Sequence, residues 1–227
     1  MMSGRRRDDF LKTVRIGAAR AVPPHAHETD RVTGEVGRMR DERPLADVFA
    51  ARAEGADMRV SRVHTTSEAA ARIAEIIRQE EITHVMTWAT PLFDELDLET
   101  ALAGISVEEW DPALPEEARK ARAFAMTCGI TGVDYAVAET GSLVLASAPK
   151  KGRSVSLLGR VHVAVLRADQ ILPDLYDLPA RLAADFPRGL PGNLTLITGP
   201  SKTADIELHL IIGVHGPAVV YVVLIEP

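Results

Sequence analysis

The sequence is poor in cysteine, in aromatic residues, in positive charge and in long apolar runs. A single cysteine, Cys128, among 227 residues excludes an intramolecular disulfide framework and an iron–sulfur cluster held by cysteines of this chain alone. Aromatic residues make up 4% of the chain, so a core drawn from its 46% hydrophobic content has to be built from Ala, Val, Leu and Ile. A formal charge of −6 argues against a general nucleic-acid binder, which needs a basic face to neutralise phosphates. No apolar run approaches the roughly 20 residues of a membrane span. Arg5-Arg6-Arg7 is followed by no apolar stretch, so it does not read as a secretory signal. These absences point to a cytoplasmic protein that binds neither membrane nor nucleic acid.

What is present divides in two. Residues 1–43 are polar and basic, with the Arg triplet, Pro23-Pro24, His25, His27 and few bulky apolar side chains. This segment reads either as an arm reaching a partner or as a helical extension with solvated charges. Residues 44–227 read as one α/β domain. Leu45 to Glu54 is expected as a short helix ended by Gly55, and Met58 to Val63 as a strand. Thr65-Thr-Ser-Glu68 matches a capping box. The helix after it puts Ile73, Ile76 and Ile77 on one face. Ile82 to Trp88 is a strand stopped by Pro91, completing a βαβ unit and hence a parallel sheet. Trp88 stacks on a ligand or covers the core.

A short helix around Leu92 to Ala103, a strand at Ile105 to Trp110 and a helix from Pro115 to Cys128 follow, with Gly129 as its C-cap. Cys128 reads as a small buried hydrophobe. Ser142 to Ser147, Val161 to Leu166, Leu194 to Ile197 and Ala218 to Ile225 have the Val/Leu/Ile content of strands covered on both faces. One helix, Leu172 to Phe186, lies among them and is broken by Pro179.

The chemistry gathers in two stretches, Gly129 to Ser147 and Thr198 to Pro217, expected to meet at the sheet rim. Gly199-Pro-Ser-Lys-Thr203 lacks both glycines of a phosphate loop, which needs Gly-x-x-x-x-Gly-Lys-Ser/Thr. Two readings stand: amides, hydroxyls and Lys202 hold a carboxylate or phosphate at a strand end, or Ser201 or Thr203 caps a helix starting at Ala204. Asp205, Glu207 and His209 alternate, as on a solvated strand face or, with His215, a hard-metal site. Gly213 and Gly216-Pro217 bracket His215, displaying it as a general acid/base or anion donor. Glu139, between an apolar run and Thr140-Gly141, reads as a base or nucleophile. It reads equally as a partner of Lys202 or of backbone amides. Arg153 and His162, flanking Ser154 to Ser156, are weaker candidates. Neither Gly-x-Gly-x-x-Gly nor Gly-x-Ser-x-Gly occurs.

Ala138-Glu-Thr-Gly141 before an apolar strand, Thr198-Gly-Pro-Ser-Lys-Thr-Ala-Asp-Ile-Glu207 and Gly213-Val-His-Gly-Pro217 resemble the LUD domain, the lactate-utilisation protein C family, also catalogued as a domain of unknown function. The resemblance covers roughly residues 44–227. It implies a three-layer α/β sandwich with a mostly parallel sheet, like the sugar-phosphate isomerase and CoA-transferase superfamily. It also implies a subunit of a cytoplasmic system oxidising L-lactate to pyruvate beside iron–sulfur partner proteins that carry the electrons. On that reading no cofactor or metal belongs to this chain. Glu139 or His215 would act on the hydroxyl proton, and Thr140, Gly141, Gly199, Ser201, Lys202, Thr203, Asp205 and Gly216 would bind the substrate. Two alternatives accompany it: a non-catalytic module for a phosphorylated or CoA-type metabolite, and acyl transfer through Glu139. The second rests on a likeness of Ala-Glu-Thr-Gly to the Ser-Glu-Asn-Gly of CoA transferases, although Ala138 and Thr140 replace Ser and Asn.

Overall fold

The computed structural model describes Lys12, residues 38–204 and residues 210–226. His25, His27 and the Arg triplet, together with Asp205, Glu207 and His209, lie outside the described residues. The unit carrying the fold runs from Met39 to Pro227.

Six strands form the main sheet. In chain order they are β1 (Arg59–Val63), β2 (His84–Thr87), β3 (Ser106–Glu109), β4 (Cys128–Gly132), β7 (Val161–Arg167) and β12 (Val219–Ile225). They pair in the order β1-β12-β7-β4-β2-β3, and every pairing is parallel. All starts therefore lie on one edge and all ends on the other. The two long central strands run in register from Val161↔Val219 to Arg167↔Ile225. Their apolar residues are almost wholly buried, which is why they read as continuous Val/Leu/Ile runs without alternation. The expected α/β class with a mostly parallel central sheet is thus what forms. The βαβ unit seen in sequence does join one sheet, but β1 and β2 end up separated by three strands inserted later in the chain.

A second, four-stranded sheet takes β5 (Tyr135–Val137), β6 (Ser142–Ala146), β8 (Ile171–Leu172) and β9 (Leu194–Ile197), in the order β8-β5-β6-β9. Its side chains alternate between two cores. Ala136, Leu143 and Leu145 join the main core, whereas Tyr135, Val137 and Val144 pack with Leu178 and Leu182 of α7 (Asp177–Asp185). Period-two alternation sends neighbours to opposite faces, so both faces of β5 and β6 are apolar. Edge strand β9 is different. It is only half-buried, with Leu196 exposed, against the expectation of cover on both faces.

The remaining helices are α1 (Leu45–Gly55), α2 (Thr66–Gln79), α3 (Pro91–Leu96), α4 (Leu98–Ala101), α5 (Glu116–Ala125) and α6 (Ser154–Leu157). At the start of α2, Thr65 Oγ1 accepts from the Glu68 N–H at 3.1 Å, but the Glu68 carboxylate accepts from the His64 N–H at 2.7 Å, one residue before the cap. Beyond the other end of α2, Glu80 accepts from Tyr221 (2.7 Å), Arg160 (2.8 Å) and Arg59 (3.1 Å), fixing the helix to the sheet. Burial opposes ionisation of Glu80, but hydrogen bonds from Tyr221 and Arg160 outweigh it and hold the pKa below the usual carboxylate value.

Four sequence expectations need correction. The helix expected to reach Cys128 stops at Ala125, and Gly129, expected as its cap, lies inside β4. A Cβ on Gly129 would sit 1.6 Å from the Val155 carbonyl oxygen, so glycine is needed there for α6 to approach. The helix expected over Leu92 to Ala103 is two short helices, broken at Asp97 with φ of 46°. Leu172 is in β8, so the helix expected from there to Phe186 starts only at Asp177. Pro179 does not break it, because Pro179 stands in the first turn, where the missing N–H would have no helical partner. Ala204 ends β10 (Lys202–Ala204), so no helix begins there to be capped by Ser201 or Thr203.

Candidate functional site

The two motif stretches meet on the C-terminal end of α1. The turn at residues 138–141 joins β5 to β6, and Thr198-Gly199 leaves β9, which pairs antiparallel with β6 from Leu143↔Ile197 to Ala146↔Leu194. The pairing alone brings Thr140 to Ser142 beside Thr198. A chain of hydroxyls results: Thr140 Oγ1 to Ser142 Oγ at 2.7 Å and Ser142 Oγ to Thr198 Oγ1 at 2.6 Å.

Two glycines allow the approach to α1. Gly141 has φ of 65°, and a Cβ there would lie 2.4 Å from the Ala53 nitrogen; Gly199 has φ of 99°, and its Cβ would lie 2.2 Å from the Ala56 carbonyl oxygen. Both positions combine a left-handed backbone with backbone-to-backbone contact, which only glycine satisfies. Lys202 pairs with Asp57, one residue beyond Ala56. The sequence-based pairing of Lys202 with Glu139 is therefore not what forms.

Glu139 is half-buried and its N–H donates to the Pro173 carbonyl at 3.0 Å. Among the described residues, none hydrogen-bonds or ion-pairs with its carboxylate. Ser201 N–H donates to the Pro217 carbonyl at 2.8 Å, and Gly213 N–H donates to the Ser201 carbonyl at 2.9 Å. A Cβ on Gly216 would touch Ser201 Cβ at 3.3 Å. β10 and β11 (Leu210–Ile212) form the hairpin between them, with half-buried Thr203 opposite Ile211. His215 is exposed, as its bracketing glycines suggested. Thr140, Gly141, Gly199, Ser201, Lys202, Thr203 and Gly216 thus share the amino edge of the main sheet near β1 and β12, with Glu139 in the same turn as Gly141. Asp205 lies outside the described residues.

Residues 46–225 match the family model of the LUD domain. The chain belongs to the LUD domain family. Among the relatives is a "Lactate utilization protein C" of Geobacillus sp., 31% identical over 233 residues, covering 93% of this chain and 92% of the relative. A protein of the same name from Halalkalibacterium halodurans is 35% identical over 156 residues, covering 68% of this chain and 67% of the relative. A solved structure of a DUF162 family protein from Deinococcus radiodurans superimposes with a TM-score of 0.59 at 24% identity, covering 80% of this chain and 96% of that one. That likeness supports the fold.

In this LUD domain the weaker sequence candidates take other places. Trp88 is 2% exposed and belongs to the core. His162 is fully buried in β7, bonded through Nε2 to Thr131 Oγ1 at 2.8 Å, with no partner at Nδ1. Burial pushes its pKa down to about 4, so it is a neutral core residue. Burial likewise pushes the Cys128 thiol up to about 12, which makes it a poor nucleophile. Among the described residues no group of three or more His, Cys, Asp or Glu side chains is placed to hold a metal, and no helix is long and apolar enough to cross a membrane. Sequence reasoning missed Asp57, Ser142 and Thr198. Nothing in local sequence distinguishes Asp57; its φ of 65° and its pairing with Lys202 exist only after folding.

Proposed function

We propose that this LUD domain serves in lactate utilisation, as a subunit of a cytoplasmic system that oxidises L-lactate, and that it holds the substrate carboxylate at the end of α1. Ser201, Lys202 and Thr203 bind the carboxylate, with Asp205 nearby in sequence. Thr140, Gly141, Gly199 and Gly216 shape the floor, and Glu139 or His215 takes the hydroxyl proton. Oxidation also breaks the C–H bond of the hydroxyl-bearing carbon, so that in all two protons and two electrons leave: the second proton goes to solvent and the electrons to iron–sulfur partner proteins, whose binding is part of the proposal.

The names of the full-length relatives support the setting. The observation that carries the site is the convergence of Gly141 on Ala53 and Gly199 on Ala56, at the carboxyl end of α1, with a Glu139 carboxylate that has no partner among the described residues in the same turn as Gly141. The test is growth on L-lactate after replacing the gene with Glu139→Gln or Lys202→Gln forms, with co-purification of iron–sulfur proteins as a second readout. Lost growth with retained co-purification is expected. Normal growth of both variants would remove the site from the reading.

The same carboxylate, without a partner among the described residues, favours a second reading, acyl transfer through Glu139. Incubation with an acyl-CoA followed by mass spectrometry of the 135–150 segment decides it: an acyl or CoA adduct on Glu139 supports transfer, and unmodified Glu139 excludes it. The third reading, binding of a phosphorylated or CoA-type metabolite without catalysis, would appear as a thermal shift with such ligands that is lost in Lys202→Gln, and none with lactate.

A further inference from the structure

We propose that a second site, on the carboxyl edge of the main sheet, binds a phosphorylated small molecule carrying at least two negative charges. It is separate from the lactate site proposed at the amino edge.

The chain leaves β2 outward to β3, but after β4 it proceeds the other way, through β7 to β12. The carboxyl ends of β2 and β4 therefore flank a switch point, where open parallel sheets bind ligands. The segment 147–153, between β6 and α6, lies against this edge and is held by both tryptophans of the chain. Trp88 Nε1 donates to the Gly152 carbonyl at 3.0 Å, and Trp110 Nε1 donates to the Pro149 carbonyl at 3.1 Å. The Ala89 N–H adds a bond to the Lys150 carbonyl at 3.3 Å. Gly152 lies flat on the Trp110 ring, since a Cβ there would be 2.2 Å from it.

This anchored segment presents Lys151 and Arg153, while α5 brings Arg119 to 5.9 Å from the centre of the Trp110 ring. Together with Trp110 they line an open cavity of about 560 Å³. Every charged residue lining it is basic, in a chain whose net charge is −6. Lys151 is partly neutralised by Asp134 at 2.5 Å. Arg119 and Arg153 have no ion-pair partner among the described residues, and Arg153 is exposed. Two guanidinium groups without an ion pair among the described residues, and an ammonium shared with Asp134, lie over one anchored wall and suit phosphate oxygens, which guanidinium binds in bidentate fashion. The volume lies in the range of metabolite pockets. A monocarboxylate such as lactate offers a single charge to the two arginines.

The test titrates the intact protein with pyrophosphate and with ADP, following tryptophan fluorescence and heat, with L-lactate as control. Saturable binding of either probe is expected, weakening as salt rises and falling about tenfold or more in Arg153→Gln and in Arg119→Gln, the loss of one charge-assisted contact. Glu139→Gln and Lys202→Gln, at the other edge, should bind the probes as the parent does. Arg153 is exposed and Arg119 half-buried over Trp110; an unchanged melting temperature in each variant confirms that the fold is intact. Absence of binding by both probes at millimolar concentration would overturn the proposal. So would equal binding by the arginine variants, or displacement of pyrophosphate by L-lactate at equal concentration.

Discussion

Lys202 is paired with Asp57, 145 residues earlier in the chain. The lysine of the Gly-Pro-Ser-Lys-Thr motif is therefore held against the end of α1, and a substrate carboxylate bound there as proposed would have to compete with the Asp57 carboxylate.

Replacing Asp57 by Asn should release Lys202 without disturbing the left-handed backbone, which Asn tolerates. Asp57 is 67% exposed and Lys202 35%, so the pair is worth less than about 1 kcal/mol and the melting temperature should barely move. Affinity for L-lactate should rise in Asp57→Asn and fall in Lys202→Gln. Calorimetric titration of the three proteins checks both directions; equal affinities would mean that Lys202 does not read the carboxylate.

Gly141→Ala and Gly199→Ala should each destabilise the protein by at least about 2 kcal/mol, combining left-handed strain with backbone overlap. Gly55→Ala is the control. It stands in α1 with nothing within 4 Å of its Cβ position, so it should stabilise by up to about 1 kcal/mol. Urea unfolding of the three variants gives the comparison.

His162 predicts part of the acid sensitivity. Its folded pKa, about 4, lies below the ordinary value of 6.5, so the unfolded chain binds the proton more tightly. Its contribution is complete above about pH 6.5 and is lost as pH falls from there toward about 4, on the order of 3 kcal/mol in all. Unfolding free energies between these pH values should fall less steeply in His162→Gln than in the parent; parallel slopes would show that His162 is not the titrating group.

Cys128 should resist a thiol reagent such as dithionitrobenzoate in the native protein at neutral pH and react within the mixing time in denaturant. Its burial and raised pKa both withhold the thiolate. Prompt reaction of the folded protein would contradict its place in β4.

Much of the fold was legible because β7 and β12 are covered on both faces. Such strands must be apolar at every position, and a continuous Val/Leu/Ile run is visible without any partner. β4 was hidden for the opposite reason: Cys128-Gly-Ile-Thr-Gly132 carries small residues chosen for the close approach of α6 at Gly129, so it looks like the frayed end of a helix. The division into two sheets was equally invisible, because β5 and β6 are apolar on both faces whichever sheet they join.

The sequence by itself determined the α/β class, most strand positions, and the pairing of hydroxyls with glycines at 139–141 and 198–203, since these depend on local pattern and backbone freedom. Only the tertiary structure decided that Gly141 and Gly199 close on the same helix end, that Lys202 chooses Asp57, and that both tryptophans anchor a basic segment at the far edge. Those relationships join residues from 39 to 145 positions apart. Contacts of that range are fixed by strand order and core packing, which no short stretch of sequence carries.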